Sequence, residues 1–331
     1  MPGMAVPGLA HRGVSYADSA TLGTALLPVL GRAARAGEAV TVALDGPTAA
    51  VVRDGLPDDV LAVVEFLDPT RPGRSDPFQL AARRATAVAA AARDERCSLV
   101  VTQHQPALGL ADAFWLRLEA ALDEALRALP VTLLCAYRLG VGPLPAPGEH
   151  VPAAYLATHP ELAAARALDR PVRNAAHRDP FEVVRGLPEI PVAPAPRGAR
   201  RWRFTPEDLV WLRRELAVAV AASGLGAEAT EDLVYAASEI ATNAVEHGAG
   251  TGVLQVWVAD GEVVCLVEDA GLLGQPFPGV VPPPLDQDRG RGLWLARALC
   301  DDVEVSVDED GTRVRLARRL VRSEPTTRQI R

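Results

Sequence analysis

The chain has 331 residues, 49% of them hydrophobic, which is long enough for two domains of ordinary size. Its formal net charge of −8 argues against a broad electrostatic surface for nucleic acid, so no direct nucleic-acid partner is expected. All 34 basic residues are arginine. A chain without lysine has no Walker-type phosphate-binding lysine, no Schiff-base lysine and no protein-kinase lysine on a third strand.

The cysteines are widely spaced, and none pairs at metal-ligand spacing: Cys97, Cys135, Cys265 and Cys300. We interpret them as buried free thiols, which fits a reducing cytoplasm. The first residues lack the basic and apolar regions of a signal peptide, and no apolar run approaches the roughly 20 residues of a bilayer span. A cytoplasmic protein without a membrane partner is expected.

Residues 1–185 alternate strand-like apolar runs with helical segments. The predicted strands are 39–44, 60–67, 99–102 and 131–135, and the predicted helices are 21–36, 77–93 and 111–129. Continuous apolar strands between amphipathic helices predict a doubly wound α/β domain with a parallel sheet.

Residues 186–200 carry four prolines and two glycines, which is typical of an extended linker between domains. The Arg-rich stretch 197–203 is interpreted as solvated linker, with a docking patch as the alternative.

Residues 201–320 have a different order of elements, and residues 321–331 are predicted to be a flexible tail. Helices are predicted over 205–222 and 227–247. Two hairpins follow, with strands flanking Asp260-Gly261 and Asp310-Gly311, because Asp-Gly between alternating apolar residues is a strong hairpin signal. Helices on one face of such a sheet predict an α+β two-layer sandwich.

One helix of this region carries an acid and an amide in register. Residues 238–248 read Ser-Glu-Ile-Ala-Thr-Asn-Ala-Val-Glu-His-Gly, so Glu239, Asn243 and His247 share a helix face. This pair suits a hydrated magnesium ion beside a nucleotide, and a solvated polar stripe is the equal alternative. His247 is interpreted as a packing residue at the helix end.

Two glycine motifs follow downstream. Asp269 and Gly271 stand at the end of a predicted strand, where an ordinary turn is the alternative to a base-binding site. Gly290 and Gly292 precede a predicted helix over 293–300, which is a typical phosphate-binding arrangement. A dinucleotide fingerprint is rejected because Leu295 occupies the third glycine position.

These motifs occur in the order found in the GHKL ATPase superfamily, which the region 200–320 resembles. The stretch 238–248 is especially similar to the anti-sigma-factor serine kinases. The resemblance implies ATP and Mg²⁺ as cofactors, with residue roles carried over by position. Glu239 would be the general base and Asn243 the magnesium ligand. Asp269 and Gly271 would bind adenine, and Thr312 would line the adenine pocket. The lid 275–289 would close over the nucleotide, and the phosphates would be contacted by Arg289, Gly290, Arg291 and Gly292.

The family usually shows Asp-x-Gly-x-Gly, whereas this chain has Leu273 at the second glycine position and Gly274 one residue later. His177 is followed by Pro180 and does not lie in a long amphipathic hairpin, so autophosphorylation on histidine is not expected.

The first region resembles the MEDS sensory domain over about residues 8–185. The resemblance is carried by 11–16, 36–40, 131–137 and 158–160. It implies that a small molecule is sensed by this domain. The candidates for its pocket are His11, Tyr16, Cys135, Tyr137 and His159, with core packing as the alternative role of each.

The leading hypothesis is a signalling regulator that phosphorylates a serine or threonine of a small antagonist protein, with a sigma factor or the antagonist as partner. The alternative is a nucleotide-binding switch that sequesters its partner without catalysis. A metabolic enzyme in 8–185 is disfavoured because no nucleophile elbow or carboxylate pair is found there. The sequence is compatible with a homodimer and does not determine the oligomeric state.

Overall fold

The computed structural model describes residues 8–67, 76–94, 96–145, 150–281, 283 and 291–320. The chain forms two compact units. The described residues up to Pro188, together with Val280 and Val281, belong to the first unit, and the other described residues from Glu189 onward belong to the second. Within the described residues, no helix combines the length and the apolar character needed to cross a bilayer.

The first unit is built around a mostly parallel sheet. Its described strands are β1 (Ala10–Tyr16), β2 (Ala39–Ala43), β3 (Val64–Phe66), β4 (Ser98–Gln103), β5 (Val131–Arg138), β6 (Glu161–Ala164) and β7 (Val172–Arg173). The spatial order is β3-β2-β4-β5-β1-β6-β7, and among these pairs β6–β7 is antiparallel. The N-terminal strand therefore lies inside the sheet, between β5 and β6.

The helices of this unit are α1 (Ser19–Arg35), α2 (Gly46–Gly55), α3 (Asp58–Leu61), α4 (Pro77–Arg93), α5 (Asp112–Leu126), α6 (Ala153–Ala157) and α7 (Pro180–Arg185). Aspartate caps begin several of them: the Asp18 carboxylate accepts from the Thr21 N–H of α1, and Asp45 accepts from the Thr48 N–H of α2. The parallel sheet with its helices confirms the predicted α/β class.

The predicted strand 60–67 is wrong in its first half. Val60 lies in α3, and the strand itself is only Val64–Phe66. The physical reason lies just upstream, where Pro57 precedes Asp58 and Asp59 in the first turn. Proline and acidic residues both favour a helix start, and they outweigh the apolar run that follows.

The second unit is an antiparallel sheet with helices packed on it. Its strands are β8 (Arg200–Phe204), β9 (Gly252–Ala259), β10 (Glu262–Asp269), β11 (Asp302–Asp308) and β12 (Gly311–Arg319), and its helices are α8 (Leu209–Ala221), α9 (Ala227–Glu246) and α10 (Gly292–Leu299). The spatial order within the described residues is β11-β12-β10-β9-β8. One core contains side chains of all three helices and of the sheet, among them Leu216, Ile240, Leu254, Cys265 and Ala296. This confirms the predicted two-layer class.

The Arg-rich stretch is not solvated linker throughout. Residues 200–204 form β8, which pairs with β9. Alternation explains the difference, because Trp202 and Phe204 contact the core while Arg201 and Arg203 are exposed on the other face. Upstream, Val192 is buried and donates its N–H to Ser306 Oγ at 3.3 Å, so part of the Pro-rich segment packs on the second unit.

Both hairpins form. Asp260 and Gly261 have φ values of 52° and 77°, as a tight two-residue hairpin turn requires. The second hairpin turns one residue earlier than predicted, since Asp308 pairs with Gly311 and the loop is Glu309-Asp310.

Candidate functional site

The helix α9 carries the predicted acid and amide of the second unit. Glu239 and Asn243 are half-buried, one helical turn apart, so neither points into bulk solvent or into the dry core. The predicted helix end is also found, because the His247 N–H donates to the Asn243 carbonyl at 2.9 Å and closes α9.

Asn243 lies against the start of α10. A Cβ added to Gly292 would lie 2.6 Å from Asn243 Nδ2, closer than a real side chain tolerates. Gly292 is the first residue of α10, and the half-buried Arg291 precedes it as the helix cap. The structure thus brings the predicted magnesium ligand next to the predicted phosphate-binding helix start. Arg289 and Gly290 lie outside the described residues.

Asp269, the last residue of β10, sits beside the end of α9. Its Oδ1 accepts from the Gly271 N–H at 2.7 Å, and a Cβ on Gly248 would lie 2.4 Å from the same oxygen. A Cβ on Gly271 would lie 2.4 Å from the Gly248 Cα. Both glycines are therefore needed for this close approach of backbone to carboxylate.

Partial burial raises the pKa of Asp269, while the hydrogen bond from the Gly271 N–H opposes the rise. The second carboxylate oxygen is left to accept from another group. An acid in this setting has the acceptor that recognition of an adenine amino group needs.

Thr312 is buried at the start of β12, directly opposite Asp269 in the β10–β12 register. Its hydroxyl donates to the Gly271 carbonyl at 2.7 Å, so it fixes the turn after Asp269. Gly311, just before it, has φ 134°, and a Cβ there would lie 1.9 Å from the Asp269 carbonyl oxygen. Gly311 was predicted as part of a turn and of the Gly-Thr pair that enters the last strand, but its contact with Asp269 was not predicted.

A cleft of about 620 Å³ adjoins this end of the sheet. Asp269 and Thr312 line it together with residues of β8, including Arg201 and Arg203. Glu239, Asn243, Gly271, Arg291 and Gly292 are not among its lining residues. The cleft therefore reaches only the end of the candidate site that holds Asp269.

The buried Arg297 of α10 was not predicted as part of the site. Its Nε donates to the Pro278 carbonyl at 3.0 Å, and its Nη1 donates to the Val303 carbonyl at 2.9 Å. Gly279, with φ 68°, packs on α10 so closely that a Cβ would lie 2.6 Å from the Leu293 carbonyl carbon. These contacts fasten the first part of the 275–289 segment to the helix that begins at Gly292.

The prediction that His247 packs at the helix end is wrong for its side chain. Its side chain is 70% exposed, with Nε2 4.0 Å from Glu246 Oε2. Only its backbone is close-packed, since a Cβ on Gly271 would approach its carbonyl oxygen. The helix stops at this residue, and the last turn leaves the ring in solvent.

In the first unit, three of the predicted sensory residues converge. His11 on β1, Cys135 on β5 and His159 just before β6 are all buried. His11 Nε2 lies 3.4 Å from Cys135 Sγ, and the centres of the two imidazole rings are 4.4 Å apart. The strand order brings them together, because β5 and β6 flank β1.

Two acids of α5 join this group, and neither was predicted from the sequence. Asp123 Oδ1 lies 3.3 Å from His11 Nδ1, and Glu119 Oε2 lies 3.3 Å from His159 Nε2. The buried Tyr137 donates its hydroxyl to Glu119 Oε1 at 2.5 Å. A helix with two acids four residues apart was visible in the sequence, but its facing strands were not.

Burial sets the protonation of this group. It lowers the pKa of His159 to about 4, so the imidazole is neutral at pH 7. It also raises the pKa of Cys135 and of Tyr137 well above their ordinary ranges, with Glu119 adding to both shifts.

Tyr16 lies apart from the other candidates. It faces the α1 side of the sheet, in a core with Leu26 and Val42. Its hydroxyl accepts from Gln103 Nε2 at 2.7 Å, and Gln103 also bonds Asp45. Strand periodicity explains the separation, since His11 and Tyr16 are an odd number of residues apart and point to opposite faces.

Comparisons with known proteins agree with the division into two units. Residues 203–318 match the family model of the histidine kinase-like ATPase domain, and residues 10–160 match that of MEDS, the MEthanogen/methylotroph, DcmR Sensory domain. No curated protein matches the chain.

Among solved structures, one match is to the RsbU and RsbW domains of Rv1364c from Mycobacterium tuberculosis. The identity is 26%, with 38% of this chain and 33% of that chain covered and a TM-score of 0.27. The match thus spans about a third of the length of that solved chain.

Proposed function

Because the chain joins a MEDS sensory domain to a histidine kinase-like ATPase domain, we propose that it is a signal-responsive protein kinase. Its second unit would bind ATP with Mg²⁺ and transfer the γ-phosphoryl group to a serine or threonine of a small antagonist protein. The antagonist or a sigma factor would be the partner, and a small molecule at the first unit would set the activity. The observation that carries this proposal is the packing of Asn243 against Gly292.

Nucleotide binding is supported by what meets at that contact. The first N–H groups of α10 have no partner within the helix and carry its positive dipole end, which favours phosphate. Asn243 offers an amide oxygen of the kind that Mg²⁺ accepts as a ligand. A bound Mg²⁺ would neutralise charge on the phosphates. Gly292 leaves the space that a side chain would fill.

Adenine recognition is supported at the other end of the site. Asp269 is held in place by the Gly271 N–H, and Thr312 fixes the Gly271 carbonyl. A carboxylate oriented in this way can accept from the adenine amino group, while Gly271 lets the base come close to the backbone.

Glu239 would take the proton of the acceptor hydroxyl. It lies one helical turn before Asn243 on the same half-buried face, so a hydroxyl presented beside the phosphates would be within its reach. Removal of such a base costs roughly 10²–10⁴-fold in rate. A partner's serine or threonine is favoured as acceptor because His177 lies just before the short helix α7, not on a helical hairpin.

A specific observation favours a second candidate, a nucleotide-binding switch without catalysis. Leu273 stands where the family has its second glycine, and it is half-buried. Gly274 does not take over the missing role, since a Cβ there would meet open space. The altered turn would weaken closure over the nucleotide and leave partner capture as the output.

The test is phosphoryl transfer from labelled ATP to a candidate antagonist, measured beside ATP affinity by calorimetry. Glu239→Gln is expected to lose transfer and keep affinity for ATP with Mg²⁺. Asn243→Ala is expected to lose both, with Glu231→Ala, at an exposed position of the same helix, as the matched control.

The outcomes separate the two candidates. Partner capture without transfer by the unaltered chain would favour the switch. Unchanged ATP affinity in Asn243→Ala would remove the site assignment, and with it both candidates.

A further inference from the structure

We propose that His11, Cys135 and His159 form a binding site for a divalent transition-metal ion, of the zinc class, in the core of the first unit. The ligand atoms of these three residues all lie within 4.8 Å of one another, and all three residues are buried. Imidazole nitrogen and thiolate sulfur are the ligands that zinc and its neighbours in the first row prefer. This inference does not depend on the ATP site of the second unit.

The spacing of the ligand atoms fits such an ion. Zinc–nitrogen and zinc–sulfur bonds of about 2.0–2.3 Å at tetrahedral angles place neighbouring ligand atoms roughly 3.3–3.8 Å apart. His11 Nε2 lies 3.4 Å from Cys135 Sγ, within that range. All three ligand atoms lie within 4.8 Å of one another, so the third ligand would move by about 1 Å or more to reach the same range.

The hydrogen bonds of the two histidines leave the same ring nitrogen for the metal. His159 Nδ1 lies 3.0 Å from the Tyr155 carbonyl, which can only accept, so Nδ1 carries the proton and Nε2 is a bare acceptor. His11 Nδ1 faces the Asp123 carboxylate, which leaves its Nε2 beside Cys135. Metal-binding histidines usually donate their second nitrogen to a carboxylate or a carbonyl in this way.

His159 Nε2 is the second observation that points to a cation. This nitrogen is buried and has no hydrogen-bond partner. It lies 3.3 Å from Glu119 Oε2, so a carboxylate stands next to the unpartnered nitrogen. A buried acceptor left unpaired destabilises the folded state, and a metal ion bound to Nε2 would remove this cost.

Glu119 is held in place beside His159 by two hydroxyl groups. Its Oε1 lies 2.5 Å from the Tyr137 hydroxyl, and its Oε2 lies 2.7 Å from the Thr158 hydroxyl.

Gly13 leaves room for the His159 ring. It lies on β1 opposite Cys135 in the β1–β5 register, and a Cβ there would come within 3.1 Å of His159 Cγ. The site is therefore assembled from β1, β5 and the segment just before β6, with α5 supplying the outer carboxylates. Three protein ligands leave a zinc ion one further coordination position.

The test uses the full chain without a polyhistidine tag, stripped with a chelator and kept reduced. Calorimetric titration with Zn²⁺ in the absence of nucleotide is expected to show one strong site per chain. Titration with Co²⁺ is expected to give thiolate-to-cobalt charge-transfer absorption and the visible bands of a tetrahedral ion.

The variants assign the site. Cys135→Ser is expected to abolish the charge-transfer band and to weaken Zn²⁺ binding by at least tenfold. His159→Gln is expected to weaken binding while keeping a charge-transfer band at high Co²⁺. Cys265→Ser and Cys97→Ser are the controls and are expected to behave like the unaltered chain. Cys265 is buried in the second unit, whereas Cys97 is exposed, so the prediction that all four thiols are buried is wrong for Cys97.

Asp123→Asn keeps all three ligands and tests the outer carboxylate. Its Zn²⁺ affinity is expected to fall roughly 10–100-fold. Circular dichroism checks the fold of every variant. If Cys135→Ser does not fold, the single variants Asp123→Asn and His159→Gln decide the test. The proposal is overturned if the folded chain binds no Zn²⁺, or if the cobalt spectrum is the same with and without the Cys135 thiol.

Discussion

The carboxamide of Asn243 on α9 packs directly against the first residue of α10, with Nδ2 only 2.6 Å from the place where a Cβ of Gly292 would stand. Two motifs about fifty residues apart in sequence thus share one surface. This contact makes Gly292 a sensitive probe of the candidate site, since any side chain there must displace the amide.

Gly292→Ala is therefore expected to weaken the affinity for ATP with Mg²⁺ by about tenfold or more, equivalent to about 1.4 kcal/mol, with the fold retained. Alanine is tolerated at a helix start, so the loss would come from the moved Asn243 side chain. Gly274→Ala is the control, because a Cβ there meets open space. Calorimetry on both variants is the measurement, and equal affinities would contradict the proposed role of the contact.

Asp269→Asn should lower the affinity for ATP without lowering the folding stability at pH 7. Folding raises the pKa of Asp269 above its ordinary value of 3.8, so the native state keeps this proton to higher pH than the unfolded chain does. The resulting stabilisation is present below pH 3.8 and is lost as the pH rises through the folded pKa. At pH 7 the asparagine variant is expected to be at least as stable as the unaltered chain and to lose ATP affinity.

The measurements are urea unfolding at several pH values and calorimetry with ATP. Glu268→Gln is the matched control, because Glu268 lines the neighbouring cleft and bonds Gln255 and Arg313 instead. If Glu268→Gln lost ATP and Asp269→Asn kept it, the nucleotide would contact Glu268 and the assignment of Asp269 would be wrong.

Thr312→Val should loosen the turn after Asp269. The change removes the hydroxyl that donates to the Gly271 carbonyl and keeps the volume of the side chain. A loss of about 1–3 kcal/mol in the free energy of unfolding is expected, with weaker ATP binding because Gly271 is no longer fixed. Thr312→Ser keeps the donor and should recover most of both. A valine variant as stable as the serine variant would show that the bond contributes nothing.

Much of the fold could be predicted because local signals agreed with the tertiary structure. Asp260-Gly261 joins β9 and β10, and the predicted two-residue turn forms there. The α9 helix has an apolar face and ends where the glycine suggested. The prediction of a strand over 60–67 was wrong at its start because Pro57 and two acids begin a helix there. These local helix-start residues outweighed the apolar composition of the run.

The candidate sites were predictable only in part. The acid and amide of α9 share a face by helix geometry alone, whereas their contact with Gly292 depends on how α9 and α10 pack. In the first unit, the periodicity of β1 already separates Tyr16 from His11. The neighbours Glu119 and Asp123 could not be found in the same way, because the crossing of α5 over β1 and β5 is a long-range feature that no spacing encodes.

Gly13→Ala tests the packing behind the buried histidines independently of any metal. The new methyl group would lie 2.9 Å from Tyr155 Cε2, 3.0 Å from Leu162 Cδ2 and 3.1 Å from His159 Cγ, so three side chains must move. Overpacking of this kind typically costs about 1–3 kcal/mol, and we expect the urea transition of the first unit to shift accordingly.

Gly46→Ala, at the first residue of α2, is the control for that variant because its Cβ meets nothing within 4 Å. It should leave the transition within about 0.5 kcal/mol of the unaltered chain. If Gly13→Ala were equally silent, the close packing of His159 on β1 would be wrong, and the position of its ring relative to Cys135 would have to be revised.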